Sequence, residues 1–136
     1  MKTRLALAAL LIPVTFPAAM AAPVPLSPPA KIAPLHLRLT KSEPAKDVVV
    51  AAPSVIRLWF SMPPELAVTT VRVTGAGGES VALSAVRRAA AAGAPVEADV
   101  REALAPGRYT VSWKTSSRDG HPMKGDFSFT VRTGAK

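Results

Sequence analysis

The sequence contains no cysteine among its 136 residues. This absence excludes disulfide bonds, thiolate metal sites and cysteine nucleophiles. A small domain without disulfides in an oxidising compartment must depend on its hydrophobic core for stability. Any metal ion that the chain binds must be held through nitrogen, oxygen or thioether donors.

Aromatic residues are also scarce, at 5% of the chain. They are too few to form a stacking platform for single-stranded nucleic acid, even though the formal net charge is +8. The basic residues are scattered along the chain, and only Arg87 and Arg88 are adjacent. We therefore predict a solvated basic surface and no nucleic-acid partner.

Long hydrophobic runs are limited to residues 5–16, a stretch shorter than the roughly 20 apolar residues that span a bilayer. Lys2 and Arg4 precede this run and small residues follow it at 17–22, which is typical of a cleavable signal peptide at 1–22. Residues 23–34 contain five prolines and are expected to form an extended spacer. The folded domain is predicted at 35–132, with a tail at 133–136.

Alternation of apolar and polar residues is the main structural signal in the predicted domain. It is clear at 56–60, 71–73, 109–113 and 127–131, and it indicates strands with one buried face. About seven strands are predicted, at 35–41, 54–61, 68–74, 79–86, 95–101, 107–115 and 124–132. This pattern predicts an all-β sandwich or a small Greek-key barrel. Residues 84–92 could form a helical turn instead.

Few side chains offer metal or acid–base chemistry, because the chain has only two histidines. His121 follows Asp119 by two residues, so in an extended segment a carboxylate and an imidazole converge, and both suit Cu(II). Asp-Gly is also a common turn dipeptide, and the residues alone favour a structural turn. Considered alone, His36 is predicted to be a histidine on the surface without a special role. Met62 and Met123 are candidate Cu(I) ligands, but two methionines without clustering favour gap-filling or surface roles.

Catalytic motifs are missing from the sequence. It contains no G-x-S-x-G, H-E-x-x-H, phosphate-loop or dinucleotide-binding pattern. Asp119 and His121 could belong to a catalytic triad, but no serine is marked as the nucleophile. We therefore predict that the protein is not an enzyme.

Three longer sequence motifs lie in the predicted domain. They are HLRLTKSEPA at 36–45, LAPGRYTVSW at 104–113 and SRDGHPMKGDFSFTV at 117–131. These motifs resemble the H-x-x-L-x-x-S-x-P-A, L-x-P-G-x-Y-x-V-x-W and S-x-D-G-H-P-x-x-G-x-F-x-F-x-V patterns of the CopC family of periplasmic copper-resistance proteins. The matches cover most of residues 35–132.

The resemblance implies an immunoglobulin-like Greek-key β-sandwich that buffers or carries periplasmic Cu(II) in copper homeostasis and resistance. It implies His36, Asp119 and His121 as the metal ligands. An inner-membrane copper permease or another periplasmic copper protein is the implied partner, and we expect a monomer.

Two departures from the family pattern modify this expectation. The opening histidine of the family usually is the mature N-terminus and also binds copper through its α-amine, whereas here residues 23–35 would precede His36. We therefore expect weaker Cu(II) binding, less selectivity over Zn(II), and an affinity that changes when residues 23–35 are trimmed. The chain has no methionine-rich segment, so a dedicated Cu(I) site is not expected. The alternatives are an Ig-like interaction module without a metal site, and a copper oxygenase, which would need the free amine.

Overall fold

The structure is a computed structural model that describes residues 36–134. The predicted signal peptide at 1–22, the spacer at 23–34 and the end of the predicted tail lie outside the described residues and stay predictions. Within the described part of the chain, no helix is long and apolar enough to cross a membrane.

The described residues form two packed β-sheets, which confirms the prediction of an all-β sandwich. One sheet has four strands in the order β1-β3-β7-β6, and the other has five in the order β2-β9-β8-β4-β5. The pairing is antiparallel throughout except between β2 and β9, which run parallel. Among residues 36–134 the strands are β1 (Leu39–Glu43), β2 (Val49–Val50), β3 (Val55–Phe60), β4 (Thr70–Gly75), β5 (Ser80–Val81), β6 (Arg87–Arg88), β7 (Val96–Asp99), β8 (Gly107–Ser116) and β9 (Pro122–Val131).

The described residues contain nine strands, where about seven were expected. The two additional strands, β2 and β6, are two residues long and lie at sheet edges, too short to show alternation. The first strand occupies Leu39–Glu43, later than the predicted 35–41, and the predicted strand at 79–86 is reduced to Ser80–Val81. Residues 84–92 contain β6 and no helical turn, because β6 pairs with β7.

The alternating residues form the hydrophobic core between the sheets, as their periodicity predicted. Leu58 and Val111 are completely buried. Tyr109 stacks against Phe129 with 5.7 Å between ring centroids. The Tyr109 hydroxyl donates a hydrogen bond of 2.9 Å to the backbone carbonyl of Ala105. Such a bond from tyrosine to the preceding backbone is a known feature of immunoglobulin-like sandwiches.

Gly125 gives Trp113 the space that it occupies in the core. The two residues lie directly opposite each other on β9 and β8. A Cβ atom at position 125 would lie 2.7 Å from Cζ2 of Trp113. The indole cannot easily move away, because it also packs edge-on against Phe60, with 5.3 Å between ring centroids.

We therefore expect Gly125→Ala to lower the free energy of unfolding by about 1–3 kcal/mol through overpacking against Trp113. Urea denaturation measures this change. Gly134→Ala is the matched control, because a Cβ there would meet no atom within 4 Å. Equal stability of the two variants would contradict the proposed contact.

The outer face of the four-stranded sheet carries a network of ion pairs. Arg57 Nε lies 2.8 Å from a carboxylate oxygen of Glu97, and Arg87 contacts both Glu97 and Asp99. Hydrogen bonds from Arg87 lower the pKa of Asp99 below its usual value. The basic surface is thus partly neutralised on this face, although such exposed pairs contribute little to stability.

Candidate metal centre

The Asp-Gly-His motif lies in the loop that joins β8 to β9, beyond their last paired residues, Ser116 and Pro122. The loop is closed by a 3.1 Å hydrogen bond from the backbone N–H of Ser117 to the carbonyl of His121. Within it, the N–H of Gly120 donates to the carbonyl of Ser117 at 2.9 Å. Gly120 has φ +85°, a conformation that favours glycine. The motif therefore does form a structural turn.

The same turn brings the two candidate ligands into contact. Oδ2 of Asp119 lies 2.7 Å from Nδ1 of His121. Both side chains are exposed, with 68% of Asp119 and 78% of His121 accessible to solvent. With Nδ1 engaged by the carboxylate, Nε2 is the imidazole nitrogen that can bind a metal ion.

Ser117 holds the carboxylate from the other side. Its hydroxyl donates a hydrogen bond to Oδ1 of Asp119. This bond, followed by the contact with His121, lowers the pKa of Asp119 below its usual value. The carboxylate therefore stays ionised at lower pH than an ordinary aspartate, and an ionised carboxylate suits a cation. Ser117 was not identified from the sequence, although its two-residue spacing from Asp119 in Ser-Arg-Asp is a signal for such a bond.

His36 lies three residues before Leu39, the first residue of β1, and is held to the end of β3 by Ser61. The Ser61 hydroxyl donates to the carbonyl of His36 at 3.0 Å and accepts from the N–H of Arg38 at 3.0 Å. The N–H of Ser61 also donates to the carbonyl of Arg38 at 2.9 Å. The His36 side chain is exposed, whereas the adjacent Leu37 is 1% exposed and fixes this segment to the core.

A cleft of about 450 Å³ joins these parts at one end of the sandwich. Segments next to the four-stranded sheet supply His36 and Met62 to its lining, and the β8–β9 loop and the start of β9 supply Asp119, His121 and Met123. The structure thus places all three predicted ligands around one cleft and adds both methionines. It does not bring His36 into a compact group with the other two: among residues 36–134, no three histidine or carboxylate side chains lie close enough together to hold a metal ion.

A larger concavity of about 950 Å³ lies on the outer face of the five-stranded sheet. Arg72, Lys114 and Lys124 contribute to its lining, and the two lysines are directly opposite each other on β8 and β9. No histidine lines it, and the positive charge disfavours a metal cation. The candidate metal centre is therefore the smaller cleft.

Fold and site together define a class of protein: a small β-sandwich that presents a carboxylate–imidazole pair on an exposed hairpin loop. Residues 39–132 match the family model of the CopC domain. Copper resistance protein C of Escherichia coli is 34% identical over 103 residues, which cover 71% of this chain and 82% of that protein. The chain belongs to the CopC family, as the sequence motifs predicted.

The chain is also similar to another curated protein and to solved structures of copper resistance proteins. Protein YobA of Escherichia coli (strain K12) is 34% identical over 98 residues, or 71% of this chain and 79% of that protein. The crystal structure of PcoC, a methionine-rich copper resistance protein from Escherichia coli, matches with a TM-score of 0.63 and 33% identity, over 71% of this chain and 99% of that chain. CopC from Methylosinus trichosporium OB3b matches with a TM-score of 0.66 and 28% identity, over 74% and 98% of the two chains.

Proposed function

We propose that this protein binds Cu(II) in the cleft between His36 and the Asp119–His121 pair, and that it buffers or carries copper in the periplasm. The observation that carries the proposal is the 2.7 Å contact between Asp119 and His121 at a cleft that His36 also lines. Membership in the CopC family supports it, because relatives of this chain are copper resistance proteins.

The donor set suits Cu(II) chemically. Two imidazoles and one carboxylate are nitrogen and oxygen donors of the kind that Cu(II) binds in tetragonal geometry. Nε2 of His121 and the imidazole of His36 would be the nitrogen donors, because both residues line the cleft. Asp119 would either bind the ion directly or hold the imidazole of His121 in place, a role that raises the basicity of a ligand.

The exposure of the site favours exchange of copper over catalysis. His121 and Asp119 are 78% and 68% accessible, so the donors of another protein could approach a bound ion. An inner-membrane copper permease or another periplasmic copper protein is the proposed recipient. The protein would therefore act by coordination and release, and not by turnover of a substrate.

A second candidate function is an interaction module without a metal site. The turn around Gly120 favours it, because its backbone hydrogen bonds and the Asp119–His121 contact are complete without a metal ion. This alternative predicts that the protein binds Cu(II) no better than exposed histidines do.

Titration of the purified protein with Cu(II), followed by electron paramagnetic resonance, tests the proposal. We expect one ion per chain in a tetragonal site with nitrogen hyperfine structure. The affinity should fall at low pH, because a protonated imidazole cannot bind a metal ion. Zn(II) in a competing titration measures the selectivity. Weak binding without defined stoichiometry would favour the interaction module.

A further inference from the structure

We propose that the same cleft binds Cu(I) in a second mode, through the thioether sulfurs of Met62 and Met123 together with the imidazoles of His36 and His121. The inference rests on the proposed function, because the two modes share the histidines. The expectation from the sequence was that the chain has no dedicated Cu(I) site.

The first argument is the way in which the fold collects these side chains. The chain has four methionines and two histidines. Met1 and Met20 belong to the predicted signal peptide. The other two methionines and both histidines line one cleft, although they come from positions as far apart as 36 and 123.

Met62 is held on the same side of the cleft as His36. It lies two residues beyond Phe60, the last residue of β3, and directly follows Ser61. Ser61 is hydrogen-bonded to the carbonyl of His36 and to the backbone of Arg38. Hydrogen bonds of the adjacent Ser61 therefore hold the backbone at Met62 close to the segment that carries His36.

Met123 supplies the second sulfur from the five-stranded sheet. It pairs with the buried Thr115 on β8, so its side chain points to the inner face of the sheet. It is half-buried, packs against the core and lies two residues after His121. The cleft thus receives one methionine and one histidine from segments next to the four-stranded sheet, and one of each from the β8–β9 loop and the start of β9.

The environment of Met62 argues against a simple packing role. In the described part of the chain Met123 packs against the hydrophobic core, whereas Met62 is half-buried without belonging to that core. Met62 instead lines the cleft. A core methionine would fill a gap among other apolar side chains.

The chemistry of the four donors favours the monovalent ion. Thioethers are soft, neutral ligands that select Cu(I), and imidazole accommodates either oxidation state. Arg118 also lines the cleft, and its repulsion of a bound cation is half as large for Cu(I) as for Cu(II). Asp119 can remain paired with Nδ1 of His121 in this mode, because the neutral donors suffice for a single positive charge.

Anaerobic titration of the purified protein with Cu(I), in competition with a chromophoric chelator, tests the inference, and Ag(I) serves as a redox-inert probe. We expect the double variant Met62→Leu/Met123→Leu to lose at least about tenfold in Cu(I) affinity. Its Cu(II) affinity should stay within about twofold, because the methionines are not Cu(II) ligands in the proposal. Leucine nearly conserves the volume of methionine, and thermal unfolding confirms that the variant is folded.

Asp119→Asn is the reciprocal variant, which should weaken Cu(II) binding more than Cu(I) binding. X-ray absorption of the Cu(I)-loaded protein should show sulfur neighbours that the double variant lacks. Cu(I) affinity that does not depend on the methionines, beside normal Cu(II) binding, would overturn this inference alone. Methionine-dependent Cu(I) binding without Cu(II) binding would support it and overturn the Cu(II) proposal. A protein that binds neither Cu(I) nor Cu(II) would overturn both this inference and the Cu(II) proposal.

Discussion

Replacement of His121 with alanine is expected to lower the affinity for Cu(II) by about a hundredfold or more. Loss of a residue that only supports a ligand typically costs 10–100-fold in metal affinity, and His121 is proposed as a ligand itself. The substitution removes Nε2 as a donor and also removes the 2.7 Å partner of Asp119. Competition titration with a Cu(II) chelator measures the affinity, and the nitrogen hyperfine structure of the bound ion should weaken in parallel.

The matched control for this experiment is Arg118→Ala in the same loop. Arg118 is exposed and lines the cleft, but its guanidinium has no lone pair with which to bind a metal cation. Its removal should leave Cu(II) affinity unchanged or slightly raised, because a positive charge is lost. Because 78% of the His121 side chain is accessible, His121→Ala should unfold at nearly the same temperature as the unmodified protein. Stoichiometric, tight Cu(II) binding by His121→Ala would refute the site.

Phe129→Ala is expected to lower the free energy of unfolding by about 3–5 kcal/mol, the usual cost of removing a buried phenylalanine side chain. Phe129 is 1% exposed and stacks on Tyr109 across β9 and β8. Domains of this size are typically stable by about 5–15 kcal/mol, so the loss would be a large share of the total. Urea denaturation followed by tryptophan fluorescence measures it.

Ser128→Ala is the neighbouring control on β9. Ser128 lies on the outer face of the sheet, where its hydroxyl is 3.1 Å from that of Thr110. Loss of this half-exposed hydrogen bond should cost about 1 kcal/mol or less. A similar loss for both variants would mean that the core is not centred on the inner face of β8 and β9.

The strands in the middle of the sheets were predictable, and the strands at the edges were not. In 109–113 and 127–131 every second residue is buried in the core, so the sequence itself shows which face points inward. β2 consists of Val49 and Val50, which pair with Thr130 and Val131 some eighty residues further along the chain. Two residues are too few to show an alternation of apolar and polar side chains. The sequence near β2 also does not show that its partner is β9.

The candidate site divides in the same way. Asp119 and His121 are two residues apart in one loop, and the local sequence therefore predicted that their side chains could meet, as the structure shows. The residues alone favoured a structural turn over a ligand pair, and the loop contains both the turn and the carboxylate–imidazole contact. The prediction of His36 as a ligand came from resemblance to the CopC family and stays a prediction.

By itself, the sequence determined the all-β class, the inward faces of the central strands, the family and the local Asp119–His121 contact. These properties depend on residues that are near each other in the chain or on motifs that can be compared directly. Only the tertiary structure placed His36 and Met62 at the same cleft as His121 and Met123. The physical reason is that alternation shows which side of a strand is buried, whereas the packing of the two sheets decides which strand ends lie together.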